Sequence, residues 1–249
     1  IGSAHIDNGL PCQDAHAVRQ GSDAMGEAFV IAIAADGAGS AANADEGAQF
    51  ICRDLCNRLT YRLSLGPLSE ITETDFRQVV EGSRAGLVEY ARSFDAVPRD
   101  YACTLLAAVL NERFSAFIQI GDGAIIYSDC DDPEGWAWIF WPQRGEYANS
   151  THFITDDDAL DNIQIAVRPS RIEEVALFTD GIEKLALHFE TKTAFAPFFA
   201  KMFAPLRQST AESEDVLLSE ALQKFLASPS VVQRTDDDKT LILLTRRSG

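Results

Sequence analysis

No run of apolar residues in this 249-residue sequence approaches the length that spans a bilayer. The longest one near the N-terminus, Ala28 to Ala35, is strand-sized and follows no basic segment, so it does not read as a signal peptide. Cysteine is sparse and odd in number (Cys12, Cys52, Cys56, Cys103 and Cys130), with no CxxC spacing. Small buried thiols in a reducing cytoplasm fit that pattern better than disulfides or zinc. Four scattered histidines (His5, His16, His152 and His188) form no HExxH-like ligand pair, and no Cys-x5-Arg signature of a cysteine phosphatase is present. Positive charge is also short: 38 acidic against 21 basic residues give a formal charge of −17. Such a surface repels polyanions, so neither nucleic acid nor anionic membrane is expected as a partner.

Repeats and low-complexity linkers are absent too, and the length fits a single domain spanning 1–249 with a substantial core. Hydrophobic periodicity predicts strands over Asp14–Arg19 and Glu27–Ala35, then two helices. The first helix starts near Asn43, with Glu46 completing a capping box; the second runs from Thr74 to Phe94 and turns Phe76, Val80, Leu87, Ala91 and Phe94 to one face. Strand signals at Tyr101–Leu110, Phe114–Ile120, Ala124–Ser128 and Trp136–Trp141 are closely spaced and predict an antiparallel meander. An acidic irregular loop covers 142–160, and strands resume at Ile163–Val167 and Glu173–Phe178. Helices follow at Ala194–Phe203 and Glu212–Leu226, the latter with Leu218, Ala221, Leu222 and Phe225 aligned, before a last strand at Thr240–Thr245. Strands and helices in separate blocks predict an α+β fold, with two antiparallel sheets packed face to face and helical pairs outside.

Three apolar strands end in Asp-Gly, at Asp36-Gly37, Asp122-Gly123 and Asp180-Gly181. A further acidic group, Asp236-Asp237-Asp238, precedes the last strand, and Asp14 opens the first. Carboxylates gathered at strand ends repel one another unless cations neutralise them. Ligands made only of oxygen suit Mg²⁺ or Mn²⁺ rather than zinc or copper. Glycine after each Asp permits a sharp turn and a close approach by backbone or water. Two readings stand for Asp122-Gly123, a site residue or a tight hairpin turn, because Asp-Gly is a common type I′ pair. Asp36-Gly37 and Asp180-Gly181 lead into helical segments and are no hairpins. Alone, Asp236-Asp237-Asp238 reads as a solvated loop.

Taken in order, Gln13-Asp14-Ala15, Asp36-Gly37-Ala38-Gly39-Ser40, Cys103-Thr104-Leu105, Gly121-Asp122-Gly123, Thr179-Asp180-Gly181-Ile182-Glu183 and Asp237-Asp238-Lys239-Thr240 resemble the metal-dependent, type-2C Ser/Thr protein phosphatases. The phrase Ser3-Ala4-His5 … Pro11-Cys12-Gln13-Asp14-Ala15 resembles a bacterial branch of that family. The resemblance implies a β-sandwich flanked by helices, with a binuclear Mg²⁺/Mn²⁺ centre at one end. It implies that Asp36 bridges both metals and that Asp14 acts mainly through water. The Gly37 carbonyl then completes one metal site, Asp180 and Asp237 the other, and Asp122 with Asp180 holds a third, weaker metal. It also implies hydrolysis of phosphoserine and phosphothreonine proteins by direct attack of a metal-activated water, a cognate Ser/Thr kinase as a partner, and a cytoplasmic monomer.

The sequence departs from the family at two points. Where members often carry an Arg that clamps the substrate phosphate, it reads Ile6-Asp7-Asn8-Gly9-Leu10-Pro11-Cys12, leaving His5, Arg19, Arg144 and Arg168 as candidate substitutes. Where many eukaryotic members have a His after the second motif's Asp-Gly, it has Ala38, which leaves proton donation to a bound water or to His5. A catalytically inactive binding module and a small-molecule phosphoesterase remain the alternative readings.

Overall fold

The computed structural model describes residues 1–129, 135–143 and 151–246. Cys130 and Arg144 lie outside the described residues. In chain order the elements are α1 (Ser3–Asn8), β1 (Asp14–Ser22), β2 (Ala28–Asp36), α2 (Ala44–Leu65), α3 (Glu73–Ser93), β3 (Leu105–Leu110), β4 (Ser115–Ile120), β5 (Ala124–Asp129) and β6 (Ala137–Trp138). They continue with α4 (Ala159–Asn162), β7 (Gln164–Arg168), β8 (Ile172–Phe178), α5 (Glu183–Ala186), β9 (Leu187–His188), β10 (Thr193–Ala194), α6 (Ala196–Gln208), α7 (Val216–Leu226), α8 (Pro229–Val232) and β11 (Leu241–Thr245).

Two antiparallel sheets carry the fold. One has the order β1-β2-β3-β4-β7 and the other β11-β8-β5-β6. Strands β3 and β4 are buried along their whole length and β8 nearly so; β3 is apolar throughout, as that burial requires, whereas β4 buries Ser115 and Gln119 and β8 buries Glu174. The apolar core among the described residues divides into three layers. Ile51, Leu55, Leu59, Phe76, Val80 and Leu87 of α2 and α3 pack on the five-stranded sheet. Between the sheets lie Leu106, Phe117, Ile125, Val175 and Leu177. Phe198, Phe199 and Phe203 of α6 cover the four-stranded sheet through Phe178 and Ala176. Each fully buried chain of this size contributes roughly 1.5–3 kcal/mol, and the α-β-β-α layering predicted from the sequence follows from that burial. The helical pairs are unequal, however. Of α7 only Leu226 is buried, and Leu218, Leu222 and Phe225 instead line an open groove of about 750 Å³ beside α6 and the edges of β1 and β11.

Several local expectations change. The predicted meander breaks after β4: β3 and β4 pair, but β5 crosses to the other sheet and pairs with β8 and β6. Gln143 explains the break. Its side-chain oxygen accepts from the Gly121 N–H at 2.6 Å, and its own N–H donates to the Gly121 carbonyl at 3.1 Å, so neither group is left for a hairpin. Of Trp136–Trp141 only Ala137 and Trp138 pair as strand; Trp136 stacks on Phe199 and Phe203, and Trp141 meets Phe189 edge to face. The capping box expected at Asn43 does not form, because the Asn43 side chain bonds to Tyr101 and Glu46 accepts from the Tyr90 hydroxyl. A capping box instead starts α3, between Thr72 and Asp75. Phe94, placed on the buried face from its spacing, is 61% exposed and rests edge-on against Tyr90.

Candidate metal centre

Both sheets end at the same edge of the sandwich, and there the aspartates meet. In the five-stranded sheet Asp14 pairs with Asp36 in register, while Leu105 pairs with Ile120 one step before Gly121. In the other sheet Phe178 pairs with both Leu241 and Ala124. Asp180, Asp237 and Asp122 therefore lie just beyond the ends of β8, β11 and β5. Carboxylate oxygens of Asp36, Asp122 and Asp180 all fall within 4.8 Å of one another. Asp14 shares a carboxyl–carboxyl hydrogen bond with Asp36, and Asp237 is close enough to act on the charges of Asp36 and Asp180.

The backbone around these residues is held tightly. The Thr104 hydroxyl accepts from the Asp36 N–H at 2.9 Å, and the Thr104 N–H donates to the Asp36 carbonyl at 2.8 Å. Thr179 donates its hydroxyl to Asp14 Oδ2 at 2.8 Å and accepts from the Thr240 N–H, tying the first strand of one sheet to the last strand of the other. Thr104 and Thr179 stand inside the sequence motifs, but nothing in the local sequence marks them as holding the aspartates. The glycines after the aspartates serve close approach rather than an unusual turn, since positive φ among them is found at none of Gly37, Gly123 and Gly181. A Cβ on Gly181 would stand 1.8 Å from the Asp238 carbonyl oxygen, and one on Gly37 would stand 2.8 Å from the Gln13 carbonyl oxygen.

Electrostatically the site is in debt. Burial, followed by the charges of Asp14, Asp180 and Asp237, raises Asp36 well above the usual carboxylate range. Burial and the charges of Asp122, Asp237, Glu183 and Asp14 push Asp180 up to about 8. Burial takes Asp14 to about 6 against the pull of hydrogen bonds from Thr179, Thr240 and Asp36. One oxygen each of Asp14 and Asp180 is buried with no hydrogen-bond partner. Among the described residues no ion pair reaches Asp14, Asp36 or Asp180. Lys239, the nearest candidate in sequence, donates its Nζ to the Asp237 backbone carbonyl. Orphaned oxygens in an all-carboxylate set fit hard divalent cations.

The acidic triplet divides its labour. Asp238 is 1% exposed and is taken up by other partners, accepting from Gly2 N at 2.5 Å, Gln13 N at 2.6 Å and His5 Nδ1 at 2.7 Å. Burial would raise its pKa, but those three contacts together hold it below the ordinary value. The solvated-loop reading of the triplet thus fails at Asp238. The hairpin reading of Asp122-Gly123 fails as well, since the strands on either side belong to different sheets. Of the candidate phosphate clamps, Arg19 donates to Thr60 on α2. Arg168 pairs with Ser115 at the far end of β4 and donates to the Tyr127 hydroxyl, so it is not at this edge. His5 is. The cysteines Cys52, Cys56 and Cys103 are buried and free, as expected, and Cys12 is half-buried and free.

Comparison with known proteins agrees with this geometry. Residues 1–227 match the family described as protein phosphatase 2C. The chain is 36% identical over 243 residues to Serine/threonine-protein phosphatase 3 of Escherichia coli, covering 98% of this chain and 94% of that one. Among solved structures, a serine/threonine phosphatase of S. agalactiae superposes with a TM-score of 0.63 at 14% identity, covering 96% of this chain and 94% of that one. A serine/threonine phosphatase from Staphylococcus aureus gives 0.59 at 12% identity, with 96% and 90% covered. RsbX in complex with magnesium gives 0.52 at 15%, with 94% and 86% covered. At these identities the structures speak for the fold alone. The family match over most of the chain and the curated relative speak for kinship, and the chain belongs to the protein phosphatase 2C family.

Proposed function

We propose that this protein phosphatase, acting as one unit over 1–249, removes phosphate from phosphoserine and phosphothreonine side chains of proteins with the help of Mg²⁺ or Mn²⁺. The observation that carries the reading is the convergence of aspartates from both sheets, with one buried oxygen each of Asp14 and Asp180 unpartnered and no ion pair to Asp14, Asp36 or Asp180 among the described residues. Asp14, Asp36, Asp180, Asp237 and the Gly37 carbonyl would hold two cations, and Asp122 with Asp180 a weaker third. When bound, such cations neutralise charge on a phosphoryl group and make water a stronger nucleophile at neutral pH. The chain's own part is to hold the aspartates in place: Thr104 fixes the Asp36 backbone, and Thr179 fixes the Asp14 carboxylate. The retention of every principal aspartate argues against an inactive binding module. Cytoplasmic phosphoproteins, a cognate Ser/Thr kinase and a monomeric state complete the proposal; no helix among the described residues is long and apolar enough to cross a membrane.

Dephosphorylation of a phosphoserine peptide should stop in EDTA and return with Mn²⁺. Phosphopeptides should compete out sugar phosphates and nucleotides. Full turnover by metal-stripped protein would overturn the metal reading, and preference for sugar phosphates would overturn the protein-substrate reading.

A further inference from the structure

Asp122 enters the cluster from the short link Gly121-Asp122-Gly123, whose flanking strands belong to different sheets, so no ladder fixes it. Gly121 is buried at φ 105°, in the left-handed region, and a Cβ there would stand 2.6 Å from Thr104 Cγ2. Two glutamines hold this residue. Gln143 Oε1 accepts from the Gly121 N–H at 2.6 Å, and the Gln143 backbone N–H donates to the Gly121 carbonyl at 3.1 Å. Gln119 Nε2 donates to the same carbonyl at 3.3 Å. The Gln143 amide is itself oriented from behind: its Nε2 donates to the Asn162 carbonyl at 2.6 Å, which leaves its oxygen to face Gly121. Gln143 therefore acts one peptide away from Asp122, whereas Asp36 and Asp14 are held by Thr104 and Thr179.

We propose that Gln143 is a positioning residue for Asp122, and that its grip on Gly121 sets the affinity of the weaker, third cation while leaving the two tighter ones alone. The proposal rests on the metal reading above. Groups that orient a ligand from behind govern affinity because a metal tolerates ligand displacements of only about 0.2 Å. Without the Gln143 oxygen, the buried Gly121 N–H loses its acceptor and must turn to find another. Asp122, the next residue, moves with that peptide. The backbone bond from residue 143 survives any change of its side chain, so the link is loosened rather than unfolded.

Mn²⁺ titration of the metal-stripped chain, with the free ion followed by electron paramagnetic resonance, tests this without reference to activity. Wild-type protein should bind two Mn²⁺ tightly and a third weakly, and Asp122→Asn should lose the third. In Gln143→Leu the Kd of the weak site should rise roughly 10-fold or more, with both tight sites unchanged. Turnover of a phosphoserine peptide should then fall at low Mn²⁺ and recover at high Mn²⁺, with KM for the peptide unchanged. Added to Asp122→Asn, Gln143→Leu should change neither remaining affinity, since the two substitutions act along one path. An unaltered weak site in Gln143→Leu, equal weakening of all three sites, or a further loss at the tight sites in the double variant would each overturn the proposal. Should Gln143→Leu not fold, Gln143→Asn, whose shorter amide falls short of Gly121, carries the same expectation and the same refutation. A wild-type chain that binds only two Mn²⁺, or an Asp122→Asn variant that still binds three, would instead overturn the third-cation reading and take this proposal with it.

Discussion

Strand β8 has a carboxylate near each end, one buried and one half-buried, and the two are treated in opposite ways. Near its start, Glu174 is 5% exposed and is met by Arg207, whose Nε and Nη2 donate to its two oxygens at 2.7 and 2.6 Å, with Thr245 adding a hydroxyl at 3.2 Å. Just past its other end, Asp180 faces Asp36 and Asp122 with an orphaned oxygen and a pKa near 8. The same chain that supplies a guanidinium fork for Glu174 supplies no cation for Asp180 among the described residues. A buried charge that a protein needs for structure is neutralised from within; one left open is neutralised by what binds.

The sharpest way to break that contrast is to neutralise each end in turn. Asp180→Asn and Asp36→Asn should each lower phosphopeptide turnover roughly 10²- to 10³-fold or more, while circular dichroism stays unchanged and metal-free melting holds or rises. Near-normal turnover in either variant would show that the acidic edge is not where chemistry happens. At the structural end the ranking reverses. Arg207→Ala should cost about 2 kcal/mol, less than a fully buried pair because the Arg207 side chain is 39% exposed. Its turnover per folded molecule should be unchanged, and the added substitution Glu174→Gln should recover part of the loss. An Arg207→Ala protein that melts at the wild-type temperature would place Glu174 in water rather than in the core.

The smallest expected effect concerns pH. In the metal-free protein Asp14 and Asp180 are raised from 3.8 to about 6 and about 8, so the folded state keeps protons that the unfolded chain has released. That contribution is complete below the unfolded value and is lost as pH rises through the folded ones. Melting temperature in EDTA should therefore drift down from mildly acidic to mildly alkaline pH, and saturating Mn²⁺ should flatten the drift. A metal-free protein that grows more stable over that interval would contradict the crowding of carboxylates.

Much of this was legible in the residues. The ordered Asp-Gly strand ends located Asp36, Asp122 and Asp180, and the blocks of strand and helix periodicity predicted two sheets between helices. What escaped was decided by partners far away in sequence. A three-residue link between β4 and β5 reads as a hairpin until Gln143, 22 residues on, takes both backbone groups of Gly121. Nothing local distinguishes Asp237 from Asp238. The second turns inward only because Gly2, His5 and Gln13 are there to receive it. Asn43 and Glu46 carry the letters of a capping box, but tyrosines from α3 and the segment before β3 claim their side chains first.

Because Asp14 and Asp36 ride on one sheet and Asp180 and Asp237 on the other, with Asp122 on the link between β4 and β5, the gap between the two carboxylate groups is gauged by the thickness of the layer between the sheets. Leu106, Phe117, Ile125 and Leu177 act as spacers for it. Thr179 and Thr240, reaching from the second sheet to Asp14, strap the two halves at that edge by side-chain bonds to a cluster aspartate. Interior residues with no part in the chemistry thus calibrate its working distance, and trimming one of them would register as a change in reactivity before it registered as a change in fold.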